Sequence, residues 1–326
     1  SSATLCAALA ARERATGGLT NREGVGATPA TLVAYASVAA HSSIEKGLRI
    51  AGIGDATLRK IACDAAGGID IDALSRRIVQ DIAEGARPFF LSATLGATAT
   101  GGFDRLGPLA DLCEAHGIWL HADAAMFGVA ALCPEHRNLL DGVERVDSVT
   151  VNAHKWMLTG FDCNLFWVAD RAALTGALGI LPEYLKDGAD AVVDYRDWQI
   201  PLGRRFRALK LWFVLRYHGA KTLRAMVRRH IALAQAFAGW VAADPDFEIA
   251  APHPLTLVSF RCRGGDVANQ ALMDALNATG DLYLTHCRHE GQLTLRFCVG
   301  QATTTSEDVS SAWRTIQTTA RTKVLS

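Results

Sequence analysis

The stretch DSVTVNAHKWMLTGFDC, Asp147–Cys163, opens on alternating polar and branched residues and then delivers His154 and Lys155 with Trp156 directly behind them. Alternation of this kind is the period of a β-strand with two different faces. A lysine at a strand end ordinarily extends to water. Spacing alone therefore gives Lys155 a solvated tip, and any further role depends on what the rest of the chain brings to the same end.

Working outward, short β-rich runs alternate with amphipathic ones. The strand candidates are TLVAYAS (31–37), RKIAC (59–63), PFFLSAT (88–94), IWLHA (118–122), DSVTVN (147–152) and NLFWVA (164–169). Between them lie helical candidates at 42–52, 70–85 and 106–117. This order predicts an α/β domain with a mostly parallel sheet, whose ligands bind beyond the carboxyl ends of the strands. After DYRDWQIPLG the pattern changes: helix over roughly 204–243, strands LTLVSF and LTLRFCV with the helical DVANQALMDALNATG between them, and a last helix from about 305. The expected division is a large ligand-binding domain over 1–203 and, over 204–326, a helical connector with a smaller C-terminal α+β domain.

Composition narrows the function classes. The 326 residues are 50% hydrophobic, with 33 Lys and Arg against 33 Asp and Glu, so no overall field attracts nucleic acid or an anionic membrane. A small substrate is the expectation. No run reaches the eighteen or so apolar residues of a spanning helix. The opening SSATLCAALAARER is read as a helix capped by Ser1 or Ser2 rather than a leader, because it lacks a basic first segment. Eight scattered cysteines without a C-x-x-C pair suit a reducing, cytoplasmic compartment.

If the two strands run parallel, IWLHADAA places Asp123 at one carboxyl end and DSVTVNAHK places Lys155 at the next. The pair could be a plain salt bridge. The same two groups are also what pyridoxal phosphate needs: an amine to bond its aldehyde and an acid to keep its ring nitrogen protonated. His41, ending YASVAAH, could stack a flat ring on such a cofactor. Other motifs carry less. HCRH (His286, Cys287, His289) has metal-like residue types but no carboxylate support and reads as a polar loop. GRRFRALK is expected to be a helix that buries Phe206, Leu209 and Phe213 and turns its basic residues outward. GATATGG lacks the G-x-G-x-x-G of a dinucleotide loop.

The segments YASVAAHSSIEKG, PFFLSATLGATATGGFD, WLHADAAMFGVAALCPEHR, NAHKWMLTGFDC and DYRDWQIPLGRRFRALKLWFVLR together resemble, in order, the pyridoxal-phosphate-dependent group II decarboxylases, most closely the aromatic L-amino-acid branch. The resemblance covers nearly the whole chain and implies a type I, aminotransferase-like pyridoxal phosphate fold. It also implies α-decarboxylation of an L-amino acid by a homodimer with sites at its interface. By the same resemblance Lys155 is the Schiff-base lysine, Asp123 the partner of the ring nitrogen and His41 the stacking residue. Thr98 lies near the cofactor and Ala125 beneath the ring; Asn152, His154, Ser1 and Ser2 flank the phosphate. Tyr184, in LPEYLK, takes the place of a loop tyrosine that protonates the substrate carbon.

The chain departs from the family pattern at Ala153, where proline is usual, and at Met126–Phe127, where DAAYAG is usual. The connection after Tyr184 is shorter, and the chain opens inside the phosphate-binding Ser/Ala segment, so an N-terminal arm is expected to be missing. Glutamate decarboxylases share the fold, but Trp156 and DYRDWQIPLG favour the aromatic branch. Two rivals remain: an oxidative aldehyde synthase, which carries phenylalanine at the Tyr184 position, and a catalytically silent dimerisation partner.

Overall fold

A computed structural model describes residues 1–180 and 193–325. After helices α1 (Ser2–Thr16) and α2 (Leu19–Glu23), strand β1 (Leu32–Ser37), helix α3 (Ser43–Ile50), β2 (Leu58–Ile61) and α4 (Ile71–Ala83) follow. Next come β3 (Arg87–Thr94), α5 (Leu106–His116), β4 (Trp119–Asp123), β5 (Ser148–Asn152), the single turn α6 (Ala153–Trp156), β6 (Asn164–Val168) and α7 (Arg171–Leu178). The six strands form one sheet in the order β2-β1-β3-β4-β5-β6. All pair in parallel except the last, where β6 runs antiparallel to β5.

This sheet is covered on both faces, which is why β3 reads as an apolar run rather than an alternating one. Leu91 and Leu120 look toward α4 and α5, joined by Leu74, Ile78 and Leu109. Phe90 and Trp119 look the other way, onto the alanine-rich face of α1 with Ile44 and Leu48 of α3. Each such side chain contributes about 1.5–3 kcal/mol when buried. One polar device crosses the first layer: the Asp81 carboxylate, wholly buried, accepts from Tyr35 Oη at 3.0 Å and from the guanidinium groups of Arg59 and Arg77, both at 2.7 Å. Burial pushes its pKa up, the two guanidinium groups and the phenol push it down, and it settles at about 2.

Helix α8 (Arg207–Ala243), interrupted at Gly219, leads from the first sheet to the second. There β7 (Phe247–Ile249), β8 (Leu257–Cys262), α9 (Gly265–Asn277), β9 (Thr285–His289), β10 (Gln292–Cys298) and α10 (Ser306–Lys323) make an antiparallel sheet, β7-β8-β10-β9, backed by helices. Phe237 of α8 stacks flat on Phe297, centroids 4.0 Å apart, and meets Trp313 of α10 edge-on.

Two expectations are corrected. HCRH is not a loop: Thr285–His289 is the edge strand β9, paired with β10. Strand alternation then turns Cys287 away from His286, and its thiol reaches Ala99 O. GRRFRALK does open α8, but its apolar stripe is not buried within the chain: Phe206 is 74% and Phe213 57% exposed, and Leu209 is exposed as well. The helical period correctly reports a two-faced segment but says nothing about what covers the apolar face. Tyr184 lies outside the described residues.

Candidate active site

A cavity of about 960 Å³ opens at the carboxyl ends of β1, β3, β4 and β5, where an open parallel sheet is built to bind ligands. His41 enters it after β1, Thr98 after β3, Asp123 and Ala125 from the end of β4, and Asn152, His154 and Lys155 from the end of β5 and α6; Ser1 and Ser2 enter from the start of α1. The nine described residues singled out from the sequence therefore all line one space.

Local hydrogen bonds hold both histidines and fix the tautomer of His41. His41 Nδ1 accepts the Ser43 backbone N–H at 3.1 Å, and a backbone N–H can only donate. Its proton thus sits on Nε2. Partial burial and then the charge of Lys155 lower its pKa, opposed by Asp123, so the ring is held neutral. His154 Nδ1 lies against the Cys163 backbone, 3.0 Å from its N–H and 2.9 Å from its carbonyl oxygen, so the ring is held in place whichever tautomer it adopts.

Asp123 is 9% exposed and accepts the Ala125 N–H at 3.1 Å. Among the described residues it has no ion-pair partner, so it is not tied to Lys155 in a closed salt bridge. A carboxylate this covered favours a cationic or protonated partner. Asn152 Oδ1 accepts from Asn164 Nδ2, whose other contact is Thr150 Oγ1 at 2.7 Å. Behind the Thr98 loop, buried Asp104 accepts the backbone N–H groups of Thr94 and Ile69, both at 2.6 Å. Burial raises its pKa to about 6 despite those two donors. Gly96 has to be glycine: its φ is +95° and a Cβ there would lie 2.0 Å from the Phe127 ring.

Sequence reading missed several lining residues. Asn164 and Thr150 sit on the antiparallel β5–β6 pair, and the register that brings Asn164 opposite Asn152 was the signal available. Leu257, Arg296 and Cys298 reach the cavity from the second sheet, Arg204 and Arg205 from the segment just before α8, and Arg207 from its first position. These last contacts are long-range, and no local pattern announces them. The resulting wall carries Lys155, Arg204, Arg205, Arg207 and Arg296 against Asp123 and Asp162, and so favours an anionic ligand.

These residues fit pyridoxal phosphate: a free amine, a covered carboxylate for a protonated ring nitrogen, a flat neutral imidazole, and the N-terminus of a fifteen-residue helix for a phosphate. Fold and site together define a type I pyridoxal phosphate protein. The sequence pattern described as the pyridoxal-dependent decarboxylase conserved domain matches residues 1–263, and the chain belongs to that family. It is similar to the aromatic-L-amino-acid decarboxylase of Sus scrofa, 44% identical over 97% of this chain and 66% of that protein. It is also similar to the phenylacetaldehyde synthase of Arabidopsis thaliana, 43% identical over 88% of this chain and 61% of that protein. Among solved structures it resembles that of Oryza sativa TDC with PLP and tryptamine, with a TM-score of 0.93 and 37% identity over 99% of this chain and 69% of that one. The chain thus spans about two-thirds of the length of the curated relatives it matches.

Proposed function

We propose that the chain catalyses pyridoxal-phosphate-dependent α-decarboxylation of an aromatic L-amino acid, releasing carbon dioxide and an amine. The observation that carries this is the convergence of Lys155, Asp123 and His41 on one cavity at the strand ends. When bound, the cofactor supplies an electron sink for the pair left behind as the bond from Cα to the carboxylate breaks. Lys155 would be its covalent attachment point, and the Asp123 carboxylate would pair with a protonated ring nitrogen. His41 would offer a flat ring and a donor, Nε2–H, and Asn152, His154, Ser1 and Ser2 would hold the phosphate. Thr98 and the small side chain of Ala125 would line the space for the ring. Tyr184 is assigned from its sequence position as the proton donor to Cα.

The exposed stripe of Phe206, Leu209, Trp212 and Phe213 supports a homodimer, because a monomer rarely leaves so many neighbouring large apolar groups in water. Eight free cysteines support a cytoplasmic location, and no described helix is long and apolar enough to cross a membrane.

Similarity to an aldehyde synthase favours one second reading, oxidative conversion of the same substrates to aldehydes. Products from a panel of L-amino acids, measured under air and under nitrogen, decide between them. Amine and carbon dioxide independent of oxygen is the expected result; oxygen-dependent aldehyde with hydrogen peroxide supports the second reading, and no carbon dioxide from any of them leaves only a dimerisation partner.

A further inference from the structure

Trp156 follows Lys155 directly and is the last residue of α6. Its ring is fully buried and gripped from two sides. On one side its edge meets Phe127, with centroids 6.0 Å apart and planes at 85°. On the other its indole Nε1–H donates to His230 Nδ1 at 3.0 Å, and the two rings lie nearly parallel. His230 belongs to α8 and is wholly buried. An indole nitrogen can only donate, so Nδ1 of His230 is the bare nitrogen and its proton sits on Nε2. That Nε2 has no hydrogen-bond partner of good geometry among the described residues, and the Gln301 backbone is the group near it that favours protonation. None of the chemistry assigned to the cavity uses this histidine, yet among the described residues it is the acceptor of the indole proton next to the lysine.

We propose that His230 is a positioning residue for Lys155: by accepting the Trp156 indole N–H from a different element of the fold, it fixes the turn that aims the lysine amine into the cavity. The inference rests on the reading of Lys155 as the attachment lysine. Three elements meet at this point. The turn α6 carries the lysine, α8 carries the acceptor, and the segment Cys298–Ala302 leads from the cavity wall back to α8, where Arg229 donates to Ala302 O at 2.8 Å. Losing the acceptor leaves a buried N–H unmatched and frees the turn to shift. Protonating His230 does the same, because two donors then face each other.

The charges around the ring are few. Arg229 on its own helix acts against protonation, after burial, which is the larger cause; His154 and Lys155 come from the turn. Arg261 of β8 is already paired with Glu248 at 2.9 Å. The segment Phe127–Leu132, packed against both α6 and α8, brings no charged group.

The test compares wild type with His230→Phe, which keeps a ring and removes the acceptor, and His230→Asn, whose side-chain oxygen can take the place of Nδ1. Two readouts are needed. The indole N–H resonance of Trp156, assigned by its loss in Trp156→Phe, is followed in the cofactor-free protein by nitrogen-15 NMR as pH is lowered. In parallel, the rate at which added pyridoxal phosphate is trapped on the protein by borohydride is measured, with the labelled peptide identified. In wild type the resonance and the trapping rate should titrate together, with a midpoint below the ordinary imidazole range. The Phe variant should trap about tenfold more slowly at neutral pH and lose the pH step, since a buried unmatched donor costs about that factor or more. The Asn variant should recover the rate and also lack the step. Equal trapping rates in wild type and the Phe variant, or a resonance that ignores pH while trapping falls, overturn the proposal. A label on another lysine overturns the reading of Lys155 instead, and the Trp156 resonance still reports whether His230 holds the indole.

Discussion

The strand-end floor of the cavity and the first turns of α8 border the same space but are completed in different ways. In the floor, Asp123, Asn152, His154 and the Thr98 loop find partners inside the chain: Ala125 N–H, Asn164, the Cys163 backbone and, on Ala99 O, the Ser259 hydroxyl. At the entry to α8, Arg204 and Arg205 just before it and Arg207 at its first position line the cavity, while Phe206, Trp212 and Phe213 stand 74%, 53% and 57% exposed. The floor is completed by partners within the chain; the α8 stripe leaves its large apolar side chains exposed. Chemistry that needs fixed protons belongs on the first region, and the second is suited to joining chains.

The largest effect expected from breaking this contrast is on the floor. Asp123→Asn keeps the shape and removes the charge, and an opposite charge in contact shifts a pKa by roughly 1–3 units. Turnover should fall by at least about a hundredfold, equal to about 2.7 kcal/mol, while thermal melting moves little. Near-normal turnover would reduce Asp123 to a structural group.

The α8 wall comes next. Trp212→Glu with Phe213→Glu places two charges on the stripe, where each large apolar group is worth about 1.5–3 kcal/mol on burial. If the stripe joins two chains as proposed, analytical ultracentrifugation should show a wild-type dimer weakened by about a hundredfold or more in the double variant, with the secondary structure unchanged. An unaltered association constant would mean that another surface joins the chains.

A smaller effect tests the covered side of the sheet, far from both. The folded pKa of Asp81, about 2, lies below its unfolded value near 3.9, so its stabilisation is present above pH 4 and is lost as pH falls through 2. Urea unfolding of wild type and Asp81→Asn at pH 6 and pH 2.5 should differ in their pH dependence by about 2 kcal/mol. Equal slopes would show that Arg59 and Arg77 hold the carboxylate no better in the native state than in the unfolded chain.

Much of this was legible in the sequence, for reasons that particular residues make clear. PFFLSAT and TLVAYAS declare buried strands because apolar residues fill both faces, and Asp123 and Lys155 fall at strand ends because each strand stops where its pattern stops. Strand β9 was missed because an edge strand needs little apolar content, and Thr285–His289 has almost none. The stripe of α8 is exposed where its period predicts burial, because a period of 3.6 reports amphipathicity but not its partner. Arg296 and Cys298 reach the cavity, and His230 reaches Trp156, across more than seventy residues of chain; only the packed fold brings them there.

The central claim, that Lys155 is the covalent seat of the cofactor, is tested most directly by reducing the protein with borohydride in the presence of pyridoxal phosphate and mapping the modified peptide by mass spectrometry. The account predicts a single pyridoxyl group on Lys155, absent from a folded Lys155→Ala variant. A label on Lys46, Lys60 or Lys210, or one that survives Lys155→Ala, would contradict it.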